Sequence, residues 1–329
     1  MLRSMDDQRF VSSGSLPRPD QVGEALVEAH ERYRHDRSGS LSTVYPALAL
    51  ADPGLFGMAV VTGRGEMHEC GDARTPFTLM SVAKPFVLGL VCERVGLARV
   101  RQLVGVNATG LPFNSVEAVE RSPGGRTNPM VNPGAIATSS LVPGHTASEQ
   151  WAFVLDGLSR FAGHDLDVDQ ATLESALATN HRNRALANML RSMHALQGDP
   201  DDAVDVYTRQ SCVSVSAIDL AVMGATLASG GTNPVTGHAV VSAQTAHDVL
   251  AVMTVAGLYE SSGDWLLDVG MPGKSGISGG IVCVSPGKGA LGTFAPPLDV
   301  AGNSVRGQLV AVDLARRLGL DVLSVEPTT

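Results

Sequence analysis

Apolar and polar residues follow a helical period near the beginning of the chain and a strand pattern soon after it. From Asp20, a good N-cap, the segment EALVEAHERY has the spacing of an amphipathic helix. The segments LFGMAVVT and EMHEC then predict two short strands joined by a Gly-Arg-Gly turn. Residues 1 to about 19 mix Ser, Gly, Pro and opposite charges without a period, so we predict a flexible, loosely attached leader there.

The middle of the chain is predominantly helical, and capping residues mark where its helices begin. The predicted helix starts are Asn114 with Glu117, Thr146 with Glu149, Ser216, and Ser242. Strand character returns only near GGIVCV and ALGTF, and a final helix is predicted from about Ser304 to Leu318. A sheet assembled from both ends of the chain must therefore enclose a helical insertion.

This order of elements predicts a mixed α/β (α+β) fold with one domain over residues 20–329. Its sheet lobe would comprise residues of about 20–80 and 265–329, and an all-helical lobe of about 81–264 would be inserted between them. Binding sites commonly lie in the cleft between two such lobes. We therefore expect the functional residues at this boundary.

Charge and composition narrow the classes of partner. The 329 residues include 24 basic and 33 acidic side chains, which gives a net charge of −9, so nucleic acids and anionic membranes are not expected as partners. The chain has no apolar run of about 20 residues, and its start, MLRSMDDQRF, lacks the features of a secretory signal, so we expect a cytoplasmic location. The cysteines are far apart and are expected to be reduced and mostly buried. They are Cys70, Cys92, Cys212 and Cys283.

Three segments resemble known functional motifs, but the residues around them rule out each motif. Gly273-Lys274-Ser275 lacks the leading glycine of a phosphate loop, because Asp268 occupies that position. The G-x-S-x-G pattern around Ser278 is followed by strand-like residues, whereas a nucleophile elbow must open a helix. The acidic run that begins at Asp165 lacks the glycine and the bidentate acid of a calcium loop. Since the histidines have no ligand spacing either, we expect neither a nucleotide nor a metal.

The pattern that survives is S-x-x-K, formed by Ser81 and Lys84. Residues three apart on a helix share a face, so the lysine amine can reach the serine hydroxyl and take its proton. Pro85 has no N–H and is tolerated only in a first helical turn, so the helix should begin near Ser81 or Val82. Ser81 then lies at the positive end of the helix dipole, which favours a developing alkoxide. The pair suits a serine nucleophile.

A second element, Lys274-Ser275-Gly276, precedes the last two predicted strands. Enzymes with an S-x-x-K nucleophile carry a K-[ST]-G strand at this place. Glycine lets a substrate carbonyl approach the backbone, and a strand N–H together with that of the nucleophile can form an oxyanion hole. A Gly-rich strand entry with a surface lysine is the alternative interpretation. The catalytic one is favoured because both elements occur in this order, at opposite ends of the helical insertion.

With these elements, the sequence from about Gly39 to Leu320 resembles the serine-dependent glutaminase family. The stretches that carry the resemblance are YPALALADPGLFGMAVVT, SVAKPF, NPMVNPGAIAT, HRNRALA, DVYTRQSC, VSAIDLA, NPVTG, GLYESSGDW, MPGKSGISGGI and LDVAGNSVRG. The resemblance implies a β-lactamase-like serine hydrolase fold, shared with penicillin-binding proteins, in which a central antiparallel sheet is flanked by helices. It also implies a homodimer or homotetramer and no cofactor.

The resemblance further implies roles for individual residues. Ser81 matches the nucleophile and Lys84 the base that activates it. Tyr259 matches a tyrosine that shuttles protons, and Lys274 matches the lysine of the K-S-G strand, where a fixed positive charge would favour an oxyanion or a substrate carboxylate. Ile277 matches the residue whose backbone N–H completes the oxyanion hole with that of Ser81. The residues that match those holding the substrate are Asn132, Asn183 and Tyr207.

The sequence departs from the family pattern at the inverted pair Ser211-Cys212 and at three positions that bear on substrate recognition. Ala176 stands where the family has a glutamate that receives the α-ammonium of the substrate. Val44 replaces a tyrosine that faces the pocket, and Met80 replaces the glutamine before the nucleophile. These three departures remove polar groups that bind the α-amino-acid end of glutamine. The residues that match the catalytic residues of the family are all present. An ammonium that loses a charge-assisted hydrogen bond loses about 1.5 to 3 kcal/mol of binding.

We therefore predict a serine amidohydrolase of glutaminase type. It would hydrolyse the side-chain amide of L-glutamine or a related carboxamide to a carboxylate and ammonia through an acyl-enzyme, and its expected partner is this small-molecule amide. One alternative is an enzyme that keeps the nucleophile but hydrolyses or transfers a less polar acyl or amide substrate, which Val44, Met80 and Ala176 would suit. A second alternative is a binding protein with the same fold and no turnover.

Overall fold

The structure, a computed structural model, describes residues 16–324. Its α-helices are α1 Pro19–Tyr33, α2 Ala83–Val95, α3 Leu97–Val100, α4 Val116–Arg121, α5 Asn132–Ser139, α6 Ala147–Ala162, α7 Gln170–Thr179, α8 His181–Ser192, α9 Pro200–Ser211, α10 Ala217–Ala228, α11 Ala243–Ala256, α12 Ser262–Val269 and α13 Val305–Arg317. Its strands are β1 Gly57–Thr62, β2 Met67–Gly71, β3 Phe77–Thr78, β4 Ser214–Val215, β5 Gly273–Ser275, β6 Gly280–Ser285 and β7 Gly289–Phe294.

The main sheet is antiparallel and has the strand order β2-β1-β7-β6-β5 within the described residues. Strand β1 lies between β2 and β7, with Gly57 opposite Gly71 on one side and opposite Phe294 on the other. The N-terminal hairpin therefore joins the three C-terminal strands side by side. This confirms the predicted antiparallel sheet built from both chain ends.

Both faces of the inner strands β1, β6 and β7 are covered, which explains why every residue of these strands is buried. In β1, Met58 and Val60 pack with residues of α1 and α13, whereas Ala59 and Val61 pack with α10 and the helical part of the molecule. Successive side chains of a strand point to opposite faces, so each face receives every second residue. A strand buried on both faces reads as a continuous apolar run instead of an alternating one.

Three predicted helix starts are confirmed and two are wrong by one or two residues. The side chains of Thr146, Ser216 and Ser242 accept backbone hydrogen bonds at the starts of α6, α10 and α11. Helix α4 is capped by Ser115 and not by Asn114, because the Ser115 hydroxyl accepts the bond from the Ala118 N–H. Helix α1 begins at Pro19, so the predicted cap Asp20 lies inside the first turn. Proline favours the first helical position because the N–H it lacks would be unpaired there.

Helix α2 runs through the centre of the helical part. All of its residues from Ala83 to Cys92 are buried, and it packs against α5, α6 and α11. A helix that is apolar on all sides is buried by its neighbours on all sides. These neighbours hold the first turn of α2 in place, and Ser81 lies directly before that turn.

Other predictions concern the chain ends, the lobes and the cysteines. The predicted leader over residues 1–19 falls mainly outside the described residues, and the lobe boundaries stay a prediction. Within the insertion, α10 packs on the main sheet, so the insertion also covers one sheet face.

All four cysteines are free thiols and all but Cys70 are buried, as predicted. No helix within residues 16–324 combines the length and apolar character needed to cross a bilayer.

Candidate active site

The predicted nucleophile and base are in contact at the start of α2. Met80–Val82 forms a 3₁₀ turn that leads into α2, so Pro85 falls in the first helical turn as predicted. The Lys84 Nζ lies 3.0 Å from the Ser81 Oγ. Both side chains are buried. This is the geometry in which an uncharged amine can accept the hydroxyl proton.

Burial changes the protonation of this lysine. Removal from water lowers the pKa of Lys84 from 10.5 to about 7, because the charged ammonium loses its hydration. A substantial fraction of Lys84 is therefore the neutral amine at neutral pH. A base whose pKa lies near the working pH is the most effective proton acceptor.

Two residues that border the site have strained backbones. Met80, directly before the nucleophile, has φ +46°, and Tyr259 has φ +59°. Side chains other than glycine rarely adopt this left-handed region, and such strain persists only where surrounding contacts impose it. Met80 and Tyr259 are both buried, so their packing supplies those contacts. The strain fixes the direction in which the nucleophile and the tyrosine face.

A chain of amide hydrogen bonds extends from the lysine. Lys84 Nζ donates to the Asn132 Oδ1 at 2.8 Å, and the Asn132 Nδ2 donates to the Asn183 Oδ1 at 3.1 Å. Asn132 opens α5 and Asn183 lies in the first turn of α8. The structure therefore brings together two asparagines that are 48 and 99 residues away from Lys84 in sequence. The Tyr207 ring borders the same group, with its centroid 5.8 Å from the Lys84 Nζ.

Tyr259 approaches the nucleophile from the other side. Its hydroxyl donates to the Ser275 carbonyl oxygen at 3.2 Å. Burial raises the pKa of this hydroxyl to about 12, and hydrogen bonding to Ser81 and Ser275 opposes the increase. The tyrosine therefore stays protonated at neutral pH and can donate a proton or a hydrogen bond.

Lys274 lies beneath Tyr259 and is completely buried. Its Nζ donates to the carbonyl oxygens of Gly257 at 2.8 Å and Ser275 at 2.7 Å, and it lies 3.9 Å from the Tyr259 ring centroid. Burial and the neighbouring Lys84 lower the pKa of Lys274 well below its usual value. This burial disfavours the fixed positive charge that the resemblance implies for Lys274, whose role stays a prediction. The physical reason is that an enclosed amine without an acidic partner favours its neutral form.

Strand β5 packs against the 3₁₀ turn that carries Ser81. Within residues 16–324, neither the N–H of Ser81 nor that of Ile277 has a hydrogen-bond acceptor. Gly276 permits the close approach, because a Cβ at this position would lie 2.8 Å from the Leu79 carbonyl oxygen and 3.0 Å from the Val82 Cγ2. Any larger residue would push β5 away from the turn that carries Ser81.

The three departures from the family pattern lie in or beside an apolar wall. We use this name for the cluster of buried residues Tyr45, Leu48, Met80, Leu173, Ala176, Cys212, Ile277 and Leu298. Ala176 is completely buried within it, whereas Val44 is exposed next to Tyr45. The wall adjoins the nucleophile directly, because Met80 precedes Ser81 and Ile277 follows the K-S-G strand.

Sequence reasoning did not assign two contacts of the site. Burial raises the pKa of the Tyr45 hydroxyl to about 12, and the neighbouring Asn183 side chain opposes the increase. The Ser275 Oγ donates to the Asn303 Oδ1 at 2.5 Å and so supports the strand whose carbonyl holds Tyr259 and Lys274. Both residues lie in stretches that carry the family resemblance, YPALA and LDVAGNS, which was the available signal. Among the described residues, no group of three or more His, Cys, Asp or Glu side chains could hold a metal ion.

The fold and the buried Ser–Lys pair define a serine hydrolase of the β-lactamase-like class, which confirms the predicted fold class. The chain belongs to the glutaminase family, because the family model described as Glutaminase matches residues 39–323. The predictions of this family and of an amidohydrolase are thereby confirmed.

Individual relatives support this assignment. "Glutaminase 2" of Yersinia pestis is 56% identical over 320 residues, which cover 97% of this chain and 94% of that protein. A "Glutaminase" of Brucella canis is 46% identical over 91% of this chain and 95% of its own length.

Solved structures show the same fold. A structure described as "Probable glutaminase ybaS" has a TM-score of 0.91 and 40% identity, and the match covers 93% of this chain and 99% of that one. A probable glutaminase from Bacillus subtilis, complexed with 6-diazo-5-oxo-L-norleucine, has a TM-score of 0.79 and 27% identity, with coverage of 92% and 94%.

Proposed function

We propose that the protein hydrolyses the side-chain carboxamide of L-glutamine or of a related compound to a carboxylate and ammonia. The observation that carries this proposal is the 3.0 Å contact between the Ser81 Oγ and the Lys84 Nζ, in a setting that lowers the pKa of Lys84 to about 7. The names of the relatives in the glutaminase family agree with this substrate.

In the acylation step, neutral Lys84 takes the proton of the Ser81 hydroxyl as the Oγ attacks the amide carbon. The N–H groups of Ser81 and Ile277 donate to the oxyanion that forms, since they have no protein acceptor within residues 16–324. The tetrahedral intermediate then breaks its C–N bond, and the leaving nitrogen gains a proton to become ammonia. This proton is the one that Lys84 took from Ser81, and Tyr259, whose hydroxyl donates to the Ser275 carbonyl oxygen, relays it to the leaving nitrogen, so that Lys84 becomes neutral again.

In the deacylation step, water attacks the ester formed on Ser81. Lys84 accepts a proton from this water and returns it to the Ser81 Oγ as the ester C–O bond breaks, which regenerates the hydroxyl and the neutral amine. The same two N–H groups stabilise the second oxyanion. Lys274 acts as a positioning residue in this scheme, because its amine holds the Ser275 carbonyl that accepts the hydrogen bond from Tyr259.

The asparagines and Tyr207 would hold the substrate. Asn132 already fixes the direction of the Lys84 amine, and its own amide is oriented by Asn183. These side chains offer both donors and acceptors to a polar substrate. Tyr207 is buried, so its ring limits the space available beside Lys84.

An acyl-enzyme can be tested by offering a second nucleophile. We expect ammonia release from an amide substrate and, with hydroxylamine present, formation of the corresponding acyl hydroxamate at the expense of the carboxylate, because both would attack the same ester. Ammonia is measured by a coupled assay and the hydroxamate by mass spectrometry. Ammonia release without any hydroxamate would contradict the acyl-enzyme. No ammonia from glutamine or its derivatives would contradict the proposed function.

The activity should depend on pH through Lys84. The neutral amine is the active form, so kcat/KM should rise about tenfold per pH unit below pH 7 and level off above about pH 8. The direction follows from the lowered pKa, since an ordinary lysine would give a rise only near pH 10. A rate that is independent of pH between 5.5 and 8.5 would contradict the role of Lys84.

Two further properties stay predictions. We propose a homodimer or homotetramer, as the family resemblance implies, and a cytoplasmic location, as expected from the sequence. Light scattering of the purified protein measures the first property, and a mass of one chain, 34.2 kDa, would contradict it.

A further inference from the structure

We infer that Asn303 is a positioning residue of the amide hydrolysis, which acts through Ser275 to hold the Tyr259 hydroxyl in place for proton transfer. The inference rests on the proposed function, because it assigns a further residue to the same proton relay. It follows from a buried side-chain bond to the end of strand β5 and from a carboxamide whose other half is unpaired among the described residues.

Strand β5 has a single neighbouring strand within the part of the chain that the structure describes. It is three residues long and lies at the edge of the main sheet, where Ser275 pairs with Ile281 of β6. A strand at a sheet edge has one row of backbone groups that no other strand pairs. The position of Ser275 therefore depends on contacts from outside the sheet.

A side-chain bond supplies such a contact. The Ser275 Oγ donates to the Asn303 Oδ1 at 2.5 Å, and both residues are completely buried. A hydrogen bond is stronger in a buried setting, and a partner left without it there stays unpaired. The bond joins the end of β5 to the residue that precedes Ser304, the N-cap of α13.

The backbone of Asn303 is itself held in place. Its N–H donates to the Asp299 Oδ1 and its carbonyl oxygen accepts from the Asp299 N–H, both at 2.9 Å. The Asp299 Oδ2 accepts from the Gln308 Nε2 of α13, also at 2.9 Å. The carboxamide that contacts Ser275 is therefore anchored to a helix and can hold the strand.

The backbone carbonyl of Ser275 connects this anchor to the reacting groups. It accepts hydrogen bonds from the Tyr259 hydroxyl at 3.2 Å and from the Lys274 Nζ at 2.7 Å. Tyr259 has a strained backbone with φ +59°, and such a conformation persists only where contacts impose it. A shift of Ser275 would move the acceptor of the Tyr259 hydroxyl and thereby the group that relays the proton.

The other half of the Asn303 carboxamide indicates a role beyond stability. Within residues 16–324 the buried Asn303 Nδ2 has no hydrogen-bond partner. An unpaired buried donor destabilises the folded state, so its presence calls for an explanation other than packing. The bond that Asn303 accepts from Ser275 gives this explanation, because it links the residue to the active site.

Asn233 is the matched control, because it is also completely buried but both halves of its carboxamide are bonded. Its Oδ1 accepts from the N–H groups of Val235 and Thr236. Its Nδ2 donates to the carbonyl oxygens of Arg160 and Phe161. None of these partners belongs to the proposed site, so Asn233 shows how a purely structural asparagine behaves.

The first test compares the two alanine variants with L-glutamine as the substrate. Asn303→Ala should lower kcat by about ten- to a hundredfold and change KM by less than about threefold, because the groups that hold the substrate stay in place. Asn233→Ala should lower kcat by less than about threefold, although it should lower the midpoint of denaturant unfolding further. Equal losses of kcat in the two variants, or an unchanged kcat in folded Asn303→Ala, would overturn the inference.

The second test determines whether Asn303 acts through Tyr259. In Tyr259→Phe, which has no hydroxyl to position, the further change Asn303→Ala should lower kcat by less than about threefold. A residue with a merely structural role would lower kcat by the same factor with and without this hydroxyl. The same full loss in Tyr259→Phe would therefore overturn the inference.

Ser275→Ala covers the case in which Asn303→Ala does not fold. It removes the same hydrogen bond from the other partner, so it should cause a similar loss of kcat and a much smaller one in Tyr259→Phe. Full kcat in Ser275→Ala would overturn the inference, and the proposed function would stand as long as the unmodified protein releases ammonia from L-glutamine. No ammonia from the unmodified protein would contradict the proposed function itself.

Discussion

Ser81→Ala should lower kcat/KM for the amide substrate by about 10³- to 10⁶-fold, because no acyl-enzyme can form without the Oγ. The loss should appear in kcat, since the groups that hold the substrate remain in place. The fold should be retained, because the hydroxyl contributes little to packing beside Lys84. Purified protein assayed for ammonia release over a wide enzyme concentration range measures the effect.

Ser278 provides the matched control for this variant. It lies three residues after Ser275 in the G-x-S-x-G pattern, is buried, and its Oγ donates to the Thr78 carbonyl oxygen at 2.6 Å. Ser278→Ala should lose less than about tenfold in activity, because this hydroxyl has a structural bond and no adjacent base. Equal losses in both variants, or more than one hundredth of the activity in Ser81→Ala, would contradict the assignment of the nucleophile.

Lys84→Met should lower kcat by about 10³-fold or more while preserving the shape of the site. Methionine fills a similar volume but cannot take the hydroxyl proton. Lys288→Met is the matched control, since Lys288 is also buried but its Nζ donates to the Gly319 carbonyl, outside the proposed site. Loss of activity in Lys288→Met, with activity retained in Lys84→Met, would contradict the role of Lys84.

The same substitution should change how stability depends on pH. The folded protein holds Lys84 at a pKa of about 7, against 10.5 in the unfolded chain, so between these values the unfolded chain binds more protons. Lys84 therefore contributes a rise in the free energy of unfolding with increasing pH across this window, and Lys84→Met removes this contribution. The difference in free energy of unfolding, variant minus unmodified protein, should therefore be larger at pH 6 than at pH 9. Denaturant unfolding at the two pH values measures the difference.

The sequence predicted those features of the structure that depend on residues close together in the chain. The spacing of Ser81 and Lys84, together with Pro85, predicted a helix start that holds nucleophile and base, and the structure has this arrangement. The apolar runs of β1 and β6 predicted strands because both sheet faces are buried. The two-residue strands β3 and β4 were missed, since a pattern of two residues carries no period.

Long-range contacts set the limit of sequence reasoning. Asn132 and Tyr259 could be placed beside Ser81 only through the family resemblance, because spacing says nothing about residues so far apart. The enclosure of Lys274 was not foreseen, and it disfavours the fixed charge that the resemblance implies for this lysine. The cap of α4 was misplaced because Asn114 and Ser115 are both good caps, and only the backbone decides between them.

Covalent labelling tests the central claim most directly. An electrophilic ω-diazoketone analogue of glutamine should react at a single residue of the unmodified protein. Peptide mass spectrometry should place the adduct on Ser81, with no adduct in Ser81→Ala and a strongly slowed reaction in Lys84→Met. An adduct on another residue that persists in Ser81→Ala would contradict the proposed nucleophile.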